Sequence, residues 1–231
     1  MKKVIIFVIL ILTALSLFSA DYVTIAQARE KEQLKSVVIR GKVTAEPGVF
    51  DINIMFVQDE TAGINIYSQA LDLTELGIKR GDYVEVYGYL WLHKSNLELV
   101  VDDSRNIYYV KKIENLNYNT EPLNIKTKDI NEESLEGYIV KTEGKIVSVD
   151  SQSFSINDGS GEGIVWIREN TGIDTTIFKE GIKVKVTGTL AQYLSTKELW
   201  PRDIKDIEAD DMFPPEAKYY SINGNRAYVM F

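Results

Sequence analysis

Catalysis or metal chemistry would show first in histidines, cysteines and paired acids, and this chain offers few of them. His93 is the only histidine and cysteine is absent. That removes thiol nucleophiles, zinc-cysteine sites and disulfides. HExxH, a P-loop and a nucleophile elbow are also missing. The acids that stand close together are Asp59-Glu60, Asp102-Asp103 and Asp158. They fall in turns or at strand ends, where a carboxylate bonds its own turn backbone, and no EF-hand spacing surrounds them. The arginines do not flank them as a calcium-dependent nuclease would require. The expectation is a binding protein and not an enzyme, with no cofactor and no metal.

Binding chemistry is better represented. Arg40, Lys42, Phe56, Gln58, Asn65 and Tyr67 combine basic groups, amides and aromatic rings. Cations that track a backbone and rings that stack bases hold single-stranded nucleic acid. The same pattern arises where Phe and Tyr merely suit strands. A second group is Tyr83, Tyr87, Tyr89, Trp91 and His93. Of these, Tyr87, Tyr89, Trp91 and His93 are secondary binding candidates for sugars or bases, although a domain interface is the favoured reading.

The elements that position these residues emerge from an internal repeat with a period near 100 residues. Arg40-Gly41-Lys42-Val43 recurs as Glu143-Gly144-Lys145-Ile146, and Val57-Gln58-Asp59 as Ile156-Asn157-Asp158. The stretch from Ile78 to Leu90 recurs as Phe178 to Leu190, and Leu97-Glu98-Leu99 as Lys197-Glu198-Leu199. Val84, Val86, Gly88 and Leu90 alternate with polar or aromatic neighbours, the period-two signature of a half-buried strand. Equivalent glycines (Gly41/Gly144, Gly88/Gly188) mark bends of a small barrel. Thr24 to Gln27 has capping-box spacing ahead of a helix over 28–34. Another short helix is expected at 127–135, and a further one between the third and fourth strands of each unit. Each unit thus reads as a five-stranded Greek-key barrel. The predicted organisation is a signal peptide at 1–20, a first barrel at 21–118, a second at 119–208, and an extension at 209–231. Asn223-Gly224 in that extension predicts a β-hairpin packed on an uncovered barrel edge.

Alternation sorts the faces. Val37, Ile39, Gly41 and Val43 share a side with Met55, Val57, Ile64 and Ile66, which leaves the six binding candidates outward. Aligning the units pairs Phe56 with Ser155, Gln58 with Asn157, Asn65 with Val165 and Tyr67 with Ile167. Val165 and Ile167 would then form an apolar outer strand in need of cover.

The Val-x-Ile-x-Gly-x-Val strand, the Gln58 to Tyr67 hairpin and the Lys-x-Gly-Asp-x-Val-x-Val-x-Gly strand resemble bacterial extracytoplasmic OB-fold domains. These are similar to the nucleic-acid-binding OB fold of helicases and tRNA synthetases, and Asn157 to Gly161 resembles the corresponding synthetase turn. The resemblance covers roughly 22–208 and implies two tandem OB barrels of nucleic-acid-binding type.

Compartment and charge add constraints. Lys2 and Lys3 precede an apolar run from Val4 to Leu12, the order of a secretory signal, which predicts a periplasmic or secreted protein. A membrane partner is expected only if that segment stays uncleaved. Removing those two lysines takes the 26 basic residues to 24 against 34 acidic ones, a net charge of −10. Nucleic-acid binders are usually basic, at least locally. The leading expectation is therefore single-stranded DNA, RNA or oligonucleotide binding. A structural or protein-interaction module of the cell envelope, or an oligosaccharide (glycan) binder, is the alternative.

Overall fold

The computed structural model describes residues 22–102, 107–114 and 117–209, with the backbone of 220–222 and 225–227. The signal sequence expected at 1–20 lies outside the described residues, and so does Asp103. No helix among the described residues is long and apolar enough to cross a membrane.

The chain is all-β and builds two OB-fold barrels. In the first, β1 (Ser36–Ala45), β2 (Ile54–Gln58), β3 (Gly63–Tyr67), β4 (Tyr83–His93) and β5 (Asn96–Val100) run in the order β1-β2-β3-β5-β4. The β1–β4 ladder closes the ring, and β3 and β5 pair in parallel. β6 (Tyr109–Ile113) adds to the outer edge of β4. After β7 (Leu123–Asn124), the second barrel repeats the circuit with β8 (Ile139–Val149), β9 (Ser153–Asn157), β10 (Glu162–Trp166), β11 (Lys183–Tyr193) and β12 (Thr196–Trp200). It closes through β8–β11, and β13 (Ile207–Ala209) lies on β11. β14 (Tyr220–Ile222) and β15 (Asn225–Ala227) pair antiparallel. They form their own two-stranded sheet, and among the described residues no strand pairing joins it to either barrel.

The strands close because their inward residues are apolar and their corners are small. Met55, Val57, Ile64, Ile66, Val84, Val86, Leu90 and Leu99 fill the first core. Val140, Ile146, Phe154, Ile156, Val165, Val184, Val186 and Leu199 fill the second. A Cβ at Gly88 would fall 2.5 Å from the Val100 carbonyl oxygen, and one at Gly188 would fall 2.6 Å from that of Trp200. Only a bare backbone lets the neighbouring strand approach so closely at the corner. The register shifts lie a few residues beyond the first-strand glycines, at Val43/Ala45 and Ile146/Ser148.

The helices are shorter than the sequence predicts. Thr24 is itself the N-cap of α1 (Ile25–Arg29), with the capping box to Gln27 complete. The helix therefore starts at Ile25, and its Ile25 and Ala28 plug the barrel end. The expected helix at 127–135 is two 3₁₀ turns, Thr127–Asn131 and Glu133–Leu135, and Leu73–Leu76 between β3 and β4 is another.

A third apolar cluster joins the barrels. Ala45, Phe50 and Phe56 of the first pack on Ala191 and Trp200 of the second. The rings of Phe50, Phe56 and Trp200 meet edge to face at 5.3–6.2 Å. Polar links surround them. Arg80 binds Glu46 and Asp203, Arg202 Nη1 donates to the Thr44 carbonyl (2.8 Å), and Arg29 pairs with Glu136.

Candidate functional site

The six residues expected to form one binding face are divided by the closed barrel, because outward positions on a ring point radially and not to one side. Phe56 is 0% exposed in the aromatic joint between the barrels. Gln58 is buried and its Oε1 accepts from the Ile139 N–H at 2.9 Å. Asn65 is 3% exposed and donates to Glu98. These three are therefore not an open platform: the second barrel packs on Phe56 and Gln58, and Asn65 lies at the wall of the cleft between the barrels. Tyr67, half-buried, lines the cleft between the barrels. Arg40 and Lys42 lie elsewhere, on the outer side of the β1–β4 ladder.

That outer side combines rings and cations. The pairing Arg40↔Glu85↔Lys111 crosses β1, β4 and β6, flanked by Lys42↔Tyr83 and by Tyr87↔Tyr109. Glu85 accepts from Arg40 Nε (2.8 Å) and Tyr109 OH (2.9 Å), and it pairs with Lys111 Nζ (2.6 Å). Burial alone would raise the Glu85 pKa. Hydrogen bonds from Lys111, Arg40 and Tyr109 outweigh it and hold the carboxyl at about 2. The Arg40 guanidinium lies 4.9 Å from the Tyr22 ring centre, and Tyr22 bonds Tyr118, which packs on Tyr83. Lys112 pairs with Asp82 at the same edge. Arg40, Lys42 and Lys111 thus stand around the single carboxylate Glu85 on this row, a local excess of positive charge on an acidic chain.

The secondary candidates fall beside this face. Tyr87 packs on Tyr108 and Tyr109, and Tyr89 on Tyr108, at 5.1–5.8 Å. Tyr108 and Tyr109 cover them, so the expected domain interface is not made at Tyr87 and Tyr89, while His93 of the same group does reach the cleft between the barrels. Trp91 is 42% exposed, and together with Tyr89 and His93 it lines a hollow of about 600 Å3.

A cleft of about 520 Å3 between the barrels continues that hollow past Tyr67, His93 and Glu98, which belong to both. Sequence reasoning missed it, because of a slip of one residue. β2–β3 pairs Phe56 with Asn65, and β9–β10 pairs Ser155 with Ile164. β5 and β12 place Glu98 and Glu198 beside Asn65 and Ile164. The true equivalent of Asn65 is therefore Ile164, and that of Tyr67 is Trp166. Val165 and Ile167 are buried in the second core and do not form an apolar outer strand. The signal that locates the register is the turn: Gly163 takes the first inward position, which Ile64 takes in the first barrel.

Tyr67 and Trp166, and Glu98 and Glu198, thus enter one cleft from equivalent strands, with Trp200 and Arg168 beside them. Arg168 lies 4.7 Å over the Trp200 ring, whose Nε1 donates to Glu198 (2.8 Å). Glu98 accepts from the amides of Asn65 (3.1 Å) and Asn96 (3.3 Å). Burial, with the charge of Glu136, overrides those bonds and pushes Glu98 up to about 7. Burial also raises Glu198. Asp59 and Asp158 bond their own turns, Asp59 Oδ1 accepting from the Thr61 and Ala62 N–H groups and Asp158 from that of Ser160. Asp102 instead accepts from the distant segment Ser68, Gln69 and Ala70 that follows β3.

No known protein family matches the chain.

No curated protein matches it either. Among solved structures, a murine DNA-binding protein bound to double-stranded DNA is similar at 13% identity, over 74% of this chain and 97% of that one, with a TM-score of 0.39. The HINa domain of Ifi202 in complex with 20-bp double-stranded DNA is 14% identical, over 73% and 92%, at a TM-score of 0.39. The hypothetical protein ygiW from E. coli is 18% identical, over 41% and 91%, at 0.32.

Proposed function

We propose that this chain is an exported, non-catalytic OB-fold protein that binds single-stranded nucleic acid on the outer β1–β4–β6 face of its first barrel. The observation that carries the reading is the row Arg40–Glu85–Lys111, with Lys42 beside it and Tyr22, Tyr83, Tyr109 and Tyr118 around it. Cations attract phosphates while rings stack bases without sequence preference, each stacked base contributing about 1–3 kcal/mol. Export is supported by Lys2, Lys3 and the apolar run that follows them.

Fluorescence anisotropy of the full chain with labelled single-stranded DNA and RNA, at low and moderate salt, tests the proposal. Saturable binding that weakens with salt, and weakens again in Arg40→Ala/Lys111→Ala, is the expected result. No binding by micromolar protein at low salt, or binding indifferent to both substitutions, would move the search to envelope partners.

A further inference from the structure

The cleft between the barrels differs in chemistry from the tyrosine face. Its volume, about 520 Å3, lies within the range of about 300–1,000 Å3 usual for small-molecule sites. Its walls supply aromatic rings, Tyr67 and Trp166 half-buried and Trp200 almost fully buried. Its polar lining is mixed: Glu98 and Glu198 supply acceptors, while Lys94 is engaged with Tyr193 and Arg168 lies over the Trp200 ring. Glu98 and Glu198 are only 6% and 7% exposed, and neither forms an ion pair with a described residue. Asn65 and Asn96 also line the cleft, both more than nine-tenths buried, and their Oδ1 atoms accept no hydrogen bond from a described residue. A buried acceptor left so costs about 1–3 kcal/mol, and a ligand O–H or N–H removes that cost. An ionised phosphate brings no donors for the Asn65 and Asn96 oxygens, and the two cations of the lining, Lys94 and Arg168, are balanced by Glu98 and Glu198. A pyranose ring brings several hydroxyl donors and an apolar face to lie on indole or phenol. OB folds are known to accept oligosaccharides as well as oligonucleotides.

From this combination we infer that the inter-barrel cleft is a second binding site, separate from the tyrosine face, that takes a neutral saccharide. Trp166 and Tyr67 are its stacking platforms and Glu98 and Glu198 its hydroxyl acceptors. The site does not depend on the nucleic-acid reading, because it shares no residue with the Arg40 face.

The chain has three tryptophans, Trp91, Trp166 and Trp200, and only the last two line this cleft. Indole N–H resonances of the 15N-labelled full chain therefore report on it directly, once assigned by single Trp→Phe variants. Neutral tetrasaccharides (malto-, cello- and N-acetylchito-tetraose) are titrated to about 10 mM, which covers millimolar affinity. At least one is expected to shift Trp166 and Trp200 saturably and leave Trp91 nearly still. Trp166→Ala should weaken that binding at least tenfold, with anisotropy toward single-stranded DNA unchanged. Absence of a shift with every sugar would overturn the proposal, as would movement of Trp91 alone. Displacement of the bound sugar by an oligonucleotide, or an oligonucleotide that itself shifts Trp166 and Trp200, would assign the cleft to nucleic acid instead. Glu98→Gln, nearly isosteric, serves if Trp166→Ala does not fold. Unchanged sugar affinity in that variant would count against the acceptor role.

Discussion

The backbone of Gly63 lies against that of Gly137 so closely that a methyl carbon at Gly137 would fall 2.5 Å from the Gly63 carbonyl carbon. The contact sits where β3 of the first barrel meets the approach to β8 of the second. Tyr138 OH, next in the chain, donates to the Thr61 carbonyl. Gly137 also holds φ +84°, a conformation that L side chains rarely adopt. Gly63→Ala should therefore force the barrels apart locally and destabilise the fold by about 1–3 kcal/mol, the usual cost of overpacking. Thermal unfolding measures it, and an unchanged midpoint would show that the two backbones part easily.

Phe56 separates stability from binding. Its removal opens the edge-to-face cluster with Phe50 and Trp200, so Phe56→Ala should cost about 3–5 kcal/mol in denaturant unfolding. Affinity for single-stranded DNA, measured below the transition, should stay as it was. A large loss of affinity in a folded variant would return Phe56 to the binding surface.

Glu85 is the one carboxylate among Arg40, Lys111 and Tyr109. Glu85→Gln should strengthen low-salt binding of single-stranded DNA several-fold, because it frees two cations for phosphate. It should also lower stability near neutral pH. Glu85 stays ionised in the fold down to about pH 2, so its contribution is present above the ordinary carboxylate pKa and is lost as pH falls toward 2. Weaker binding by the variant would mean that Glu85 positions the cations productively.

Glu98 acts in the opposite sense. Folded, it titrates near 7 against 4.5 for a free side chain, so between those values the folded state binds more protons than the unfolded one. Stability should then fall as pH rises from about 4.5 to about 7, by an amount on the order of 3 kcal/mol at most. Glu98→Gln should flatten that slope in unfolding curves taken at several pH values. A wild-type profile flat across this interval would show that Glu98 is better solvated than its burial implies.

The fold was legible because the repeat carried it. Matched blocks such as Ile78 to Leu90 and Phe178 to Leu190 place a strand, a turn and a corner glycine twice in the same order. Two things were not legible, each for a physical reason. Alternation tells inward from outward, yet in a closed ring outward has no single direction, so Arg40 and Phe56 look alike in sequence and lie on different surfaces. An outward Phe also looks the same whether it stacks a base or a neighbouring domain. The second failure was register. Aligning glycines set Gly163 opposite Gly63, while strand pairing sets it opposite Ile64. One step in a period-two pattern exchanges every face, and so Trp166 was hidden.

The hairpin tips give the pair of barrels its particular character. The Leu194 N–H donates to the Lys94 carbonyl at 2.7 Å, and Lys94 Nζ reaches the Tyr193 hydroxyl at 3.0 Å. Lys94 and Leu194 hold the same place in their respective turns, so the two units touch at corresponding points, as the halves of a self-complementary dimer do. A single polypeptide makes such an encounter permanent, because its effective concentration no longer depends on how dilute the protein is. Each half is then released from having to match itself. Asn65 takes the place that Ile164 takes in the second unit, and Tyr67 that of Trp166, so any molecule lodged in the cleft meets two unlike ends.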